Sequence, residues 1–196
     1  MRECFLLAGG QSKRFGEDKL LFEVGGKRVI EHVVERLRKV CDRLCVVAKE
    51  RDKFAFLNGV ELLQDLLDKH YALAGLYTAL KNMVGEKALV ISGDMPLIKP
   101  EVVQFLFERA EAPLTLYSIR GKLYPLFAIY YRAVLEELEE YISSGGERLM
   151  GFINSLPYKA IKEEEVLSID PKLASFINMN TKAEAELIIK LYGEGA

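Results

Sequence analysis

Short apolar runs alternate with longer segments of helical periodicity along most of the chain, which predicts strands and helices in turn. Residues 4–8 read as a buried strand, followed by a polar, glycine-containing loop to about Lys19. Val29, Val33, Leu37 and Val40 fall at near-helical spacing and predict a helix over 28–40. A strand is expected at 44–48, a short helix within 52–57 and another short strand at 60–63. Residues 73–84 predict a helix, and 88–91 a strand that enters Ser92-Gly93-Asp94. Pro100 suits the first turn of a helix running to about residue 110. Strands follow at 114–118 and 126–131, and helices at 132–142 and 147–155. A last strand is expected near Phe176-Ile177, before a helix from about Thr181, whose hydroxyl can cap it.

This alternation implies βαβ units with right-handed crossovers and a mainly parallel sheet. The expected architecture is α/β, with helices layered on both faces of the sheet. In such sheets ligands lie beyond the carboxyl ends of the strands. The loops after Ala8 and after Ile91 both fall there, so they are where chemistry is sought first.

The chain has 196 residues, half of them hydrophobic, with no repeat, low-complexity tract or obvious linker. A single domain over residues 1–196 is expected, and a domain of this size buries roughly 70% of its unfolded surface. Lys plus Arg number 27 and Asp plus Glu 29, leaving a formal charge of −2. No global basic field exists to hold a nucleic acid backbone, although a small anion remains a suitable partner. The first apolar stretch ends at Gly9-Gly10, too short for an export-signal core. No run approaches the ~20 apolar residues of a membrane span. Cys4, Cys41 and Cys45 are an odd count without metal-ligand spacing, and they are expected to be reduced and mostly buried thiols, pointing to a cytoplasmic protein.

The loop after the first strand reads Leu7-Ala8-Gly9-Gly10-Gln11-Ser12-Lys13-Arg14-Phe15-Gly16-Glu17-Asp18-Lys19. Gly9 and Gly10 allow close backbone approach to a ligand, and Lys13, Arg14 and Lys19 add charge suited to a polyphosphate. No Gly-Lys-Ser/Thr follows, so this is not a Walker loop, and Gly9-Gly10-Gln11 breaks the dinucleotide fingerprint. On composition alone, turn glycines and solvated lysines are an equal alternative.

The full spacing Leu-Ala-Gly-Gly-x-Ser-x-Arg-x-Gly-x-x-Lys resembles the opening motif of nucleotidyltransferases that join a nucleotide to a phosphate-bearing acceptor. Within that superfamily the chain resembles the molybdenum cofactor guanylyltransferase (MobA) family. The resemblance continues through Gly25-Gly26-Lys27, Asp65 ahead of Leu73-Ala74-Gly75, and Ser92-Gly93-Asp94-Met95-Pro96. It extends to Tyr124-Pro125, Gly146-Glu147-Arg148 and the closing Asn178-Met179-Asn180-Thr181. Phe15, Ser92-Gly93, Leu149 and the absence of Gly-Pro before Leu73 depart from the family pattern.

The resemblance implies a three-layer Rossmann-like fold, with a nucleotide-binding half at about 1–100 and an acceptor-binding half at about 101–196. It implies transfer of GMP from GTP to molybdenum-molybdopterin with release of pyrophosphate, with Mg²⁺ as cofactor and Asp94 as its ligand. Lys19 and Arg14 would neutralise the triphosphate. Leu7, Ala8, Gly9, Gly10 and Asp65 would hold the nucleotide, and Arg148, Asn178 and Asn180 the acceptor. Cofactor-handling proteins would be transient partners. By residue chemistry alone, Asp94 is also a turn or helix cap before Pro96, and the two asparagines are also turn-and-cap residues before the last helix. The alternatives are a cytidylyltransferase for the same pterin, a sugar-phosphate nucleotidyltransferase, and a non-catalytic GTP- or pterin-binding delivery module. His32, His70 and the Glu136–Glu140 acids read as structural or solvated.

Overall fold

A computed structural model describes residues 1–10, 15–69 and 72–196 of the chain. Five consecutive buried residues make β1 (Glu3–Leu7) a central strand, covered on both faces. It pairs in parallel with β4 (Arg43–Ala48) on one side and β6 (Lys87–Ser92) on the other, and β4 pairs in parallel with β5 (Glu61–Gln64). Such double-sided burial explains why these segments read as continuous apolar runs. Beyond β6 the direction reverses. β8 (Lys122–Tyr131) runs antiparallel to β6 and to β7 (Leu114–Ile119), and β9 (Lys159–Lys162) closes the edge parallel to β7. The seven-stranded order is β5-β4-β1-β6-β8-β7-β9, and a separate hairpin joins β2 (Glu23–Val24) to β3 (Lys27–Arg28).

Helices cover both faces. α1 (Val29–Leu37), α3 (Pro100–Glu108) and α6 (Lys182–Gly193) pack on the face that carries Leu6, Val46, Ile91 and Phe127. α2 (Ala72–Asn82), α4 (Val134–Ser143) and α5 (Leu149–Ile153) pack on the face that carries Phe5, Val47, Val90 and Tyr130. This is the expected three-layer α/β arrangement with a mixed, mostly parallel sheet. Pro100 occupies the first turn of α3 as predicted, and Thr181 Oγ1 accepts the Glu184 amide at the start of α6. No helix among the described residues is long and apolar enough to cross a membrane.

Two expectations are corrected. Cys4 and Cys41 form a disulfide across 37 residues, tying β1 to the turn after α1, so two of the three cysteines are not free thiols. Cys45 alone is free, and burial pushes its thiol up to about 12. Phe176-Ile177 is not a strand. A 3₁₀ turn at Ala174–Phe176 points the Phe176 ring into a cluster with Tyr117, Tyr124 and Phe127, at centroid distances of 4.9, 5.4 and 5.4 Å. The short, charged β9 and the β2–β3 hairpin lie in segments with no apolar run to announce them.

Candidate active site

The carboxyl ends of β1, β5 and β6 converge, as the topology requires. The Ala8 amide donates to Val47 O at 2.8 Å, and the Gly93 amide to Leu7 O at 3.0 Å, holding the turns after β1 and β6 side by side. Asp65 follows β5, and its amide donates to Ala48 O at 2.9 Å. The Asp65 carboxylate lies against Gly9, where a Cβ would stand 3.1 Å from Oδ2. Thr78 Oγ1 of α2 sits 3.0 Å from Asp65 Oδ1 and accepts the Leu66 amide. Leu7, Gly9, Gly10, Asp65, Gly75 and Ser92 line a cavity of about 140 Å³. A second cavity of about 150 Å³ adjoins it at Gly9-Gly10, lined by Ala8, Lys49 and Lys53 among others. Gly75 is the residue that lets α2 approach the sheet, since a Cβ there would lie 2.9 Å from Leu7 Cδ1.

A polar cluster stands beside this cleft. Lys19 Nζ donates to Asp94 Oδ2 at 2.8 Å and to Asn180 Oδ1 at 2.6 Å. Asn178 Nδ2 and Ser92 Oγ each donate to Asp94 Oδ1 at 2.8 Å. The Met179 amide donates to Asp94 O at 2.8 Å, which anchors the closing segment to the turn after β6. Burial by itself would raise the Asp94 carboxyl, but the Lys19 charge and the bonds from Lys19, Asn178 and Ser92 outweigh it. The net direction is below the ordinary carboxylate range. The chain thus gathers one buried carboxylate, one ammonium and two carboxamides from positions 19, 94, 178 and 180.

The sequence assigns Leu7, Ala8, Gly9, Gly10, Lys19, Asp65 and Asp94 to the nucleotide and Arg148, Asn178 and Asn180 to the acceptor. The geometry brings both groups to adjoining parts of one sheet end. It does not bring Arg148 into the cluster. Arg148 is exposed at the start of α5, and among the described residues no hydrogen bond or ion pair joins its guanidinium to Asp94 or the asparagines. Its neighbour Glu147 instead pairs with Lys69, at the end of the loop after Asp65. Arg14 and Lys13 lie outside the described residues, as does His70. His32 is structural: its Nε2 meets the Val24 carbonyl at 2.5 Å. The acids of α4 are largely solvated, with Glu139 paired to Lys81 at 2.9 Å.

Two contributors escaped sequence reasoning. Lys182, at the first turn of α6, pairs with Glu17 at 2.7 Å and lies 4.2 Å from the Phe15 ring centroid, bracing the end of the glycine-rich loop. Lys49 reaches toward Asp65 from the end of β4. Only their positive charge marked them, and charge alone does not single out two lysines among many.

Residues 4–159 match the model of the MobA-like NTP transferase domain. The chain belongs to this family. Among MobA-like relatives, a protein of Aquifex aeolicus named "Probable molybdenum cofactor guanylyltransferase" is 39% identical over 96% of this chain and 90% of its own length. A Desulfosudis oleivorans protein named molybdenum cofactor guanylyltransferase is 32% identical over 92% of this chain and 91% of its own. The crystal structure of molybdopterin-guanine dinucleotide biosynthesis protein A from Archaeoglobus fulgidus superposes with a TM-score of 0.86 at 26% identity. That match covers 98% of this chain and 99% of the other. The MobA-like chain described here is accordingly a nucleotidyltransferase, and its cleft and polar cluster lie at the sheet end where this fold class binds its ligands.

Proposed function

We propose that the protein transfers GMP from GTP to the terminal phosphate of molybdenum-molybdopterin, forming the guanine dinucleotide form of the cofactor and releasing pyrophosphate. The observation that carries the reading is the junction of two parts. A glycine-walled cavity ending in a carboxylate adjoins a buried Lys–Asp–Asn cluster, on a chain whose relatives bear the guanylyltransferase name.

Leu7, Ala8 and Gly9 would present backbone groups to the guanine, and Asp65 would accept from its N–H donors. Lys19, with Arg14, would neutralise the triphosphate. The acceptor is a phosphate monoester and already anionic at neutral pH, so the protein need not create the nucleophile. Alignment for in-line attack and neutralisation of crowded charge are what remain to be supplied. Asn178, Asn180 and Arg148 would hold the acceptor side.

The donor set suits Mg²⁺. Asp94 offers a carboxylate, a hard oxygen ligand. Among the described residues no group of three or more His, Cys, Asp or Glu could cage a metal. One carboxylate with substrate phosphates completing the shell is the usual arrangement for this ion. Bound there, Mg²⁺ would supply charge neutralisation at the reacting phosphorus and the departing pyrophosphate. Lys19 now pairs with Asp94, and on nucleotide entry it would exchange that partner for phosphate oxygens.

Isothermal titration with GTP, CTP, UTP and ATP in the presence of Mg²⁺ tests base choice. GTP is expected to bind tightest, and tightest binding of CTP would overturn the guanine assignment.

A further inference from the structure

Lys49 is the first residue beyond β4, and it lines the second of the two cavities that meet at Gly9-Gly10. The side chain is only 14% exposed. Its ammonium donates to the Leu67 carbonyl and stands 4.0 Å from Asp65 Oδ2. Its own carbonyl accepts Gln64 Nε2, so its backbone is tied to the last residue of β5. Gly9 is packed against both partners: a Cβ there would lie 3.1 Å from Asp65 Oδ2 and 3.9 Å from the Lys49 amide nitrogen. Both targets of the ammonium, Asp65 and Leu67, belong to the loop that walls the nucleotide cavity. Thr78 holds the other carboxylate oxygen, at 3.0 Å.

We propose that Lys49 is a positioning residue for base selection, which fixes Asp65 Oδ2 and the Leu67 carbonyl so that the carboxylate faces the base edge. This rests on the reading of the cavity as the guanine site. A carboxylate only accepts hydrogen bonds, and an ammonium only donates them. A carboxylate held in place selects a base with adjacent N–H donors, as guanine has at N1 and its 2-amino group. Hypoxanthine keeps the first donor and lacks the second. Adenine and cytosine present a ring nitrogen acceptor at the corresponding edge, which a fixed carboxylate opposes. A site built to pair with a donor rejects an analogue that lacks it, because its own polar group is then left unpaired. The rejection requires that the carboxylate cannot turn away, and the Lys49–Thr78 pair prevents that turn.

The test is titration of the full-length protein with GTP and ITP plus Mg²⁺, comparing wild type with Lys49→Met and Lys49→Arg. Wild type is expected to bind GTP more tightly than ITP. Lys49→Met is expected to weaken GTP roughly 10-fold and to bring the GTP-to-ITP ratio close to unity, with kcat at saturating GTP nearly unchanged. Lys49→Arg is expected to restore most of the ratio, because the charge and donors return. If Lys49→Met fails to fold, Lys49→Gln serves in its place, retaining a donor for Leu67 without the charge, and is expected to narrow the ratio as well. Unchanged GTP affinity and ratio in the variant would overturn the inference, as would equal losses on both nucleotides. A wild type that prefers CTP would instead overturn the guanine reading beneath it, and the two failures are distinguished by the wild-type titration alone.

Discussion

Lys19 Nζ lies 2.8 Å from Asp94 Oδ2, an ion pair between residues 75 positions apart that joins the loop after β1 to the turn after β6. Both side chains are largely buried, at 16% and 6% exposed. Removing one member of such a pair takes a buried charge partner from the other, so each change has a structural and a chemical consequence.

Asp94→Asn is expected to lower kcat for pyrophosphate release by about 10²–10³-fold, because a neutral amide binds Mg²⁺ weakly. Initial rates over a Mg²⁺ series check this. Wild-type kcat in the variant would remove Asp94 from the metal.

Asn180→Ala removes the second anchor of Lys19, now at 2.6 Å, together with a proposed acceptor contact. The KM for the molybdopterin acceptor is expected to rise about 10-fold, with a smaller change in the KM for GTP. Steady-state kinetics with each substrate varied in turn separates the two.

Gly9→Ala places a methyl 3.1 Å from Asp65 Oδ2 at the cavity wall. GTP affinity is expected to fall about 10-fold while Tm moves by no more than a few degrees, since the strain falls on the site and not on the core. Titration and thermal unfolding of the same preparation check both halves.

Acid should unfold the protein partly through two carboxylates. Burial by itself raises the Glu3 carboxyl, but the Gly85 and Val84 amides and the Arg43 guanidinium outweigh it, as the Lys19 cluster does for Asp94. Both groups titrate lower in the folded protein than the ordinary values of about 3.9 for Asp and 4.3 for Glu. The unfolded chain therefore holds more protons in that interval. The stabilisation is complete above the unfolded values and is lost as pH falls through the folded ones. Glu3→Gln removes the charge that Arg43 meets at 2.6 Å and is expected to cost about 2 kcal/mol at pH 7. It should also make the decline of Tm between about pH 5 and pH 3 shallower.

The Cys4–Cys41 bond closes 37 residues, and its loss is expected to destabilise the protein by up to about 4 kcal/mol in the chain-entropy account. Thermal unfolding of Cys41→Ser beside wild type, each with and without reductant, checks this. Reductant should lower the Tm of wild type only.

The central strands and most helices were legible in the sequence because burial on both faces leaves apolar runs, and Pro100 and Thr181 mark helix starts. The site was legible as motifs but not as contacts. Glycine-rich spacing identified Gly9 and Gly10, and the resemblance identified Asp94, Asn178 and Asn180. That Lys19 bridges Asp94 and Asn180 depends on the packing of α6 against the sheet, which no local pattern encodes. Phe176-Ile177 has strand composition, yet three aromatic neighbours hold it in a turn, a tertiary override of local preference. The disulfide was hidden for a similar reason, since an odd cysteine count gives no pairing and only the fold sets Cys4 beside Cys41. Arg148 was transferred by motif, and its place at the exposed start of α5 leaves its acceptor role resting on the resemblance.

The most direct test incubates the protein with Mg²⁺, molybdenum-molybdopterin and either GTP or CTP labelled at the α-phosphate. Label is expected to move from GTP to the pterin, with one pyrophosphate released per transfer and little transfer from CTP. Transfer from CTP in preference to GTP, or GTP binding with no pyrophosphate released at saturation, would contradict that expectation.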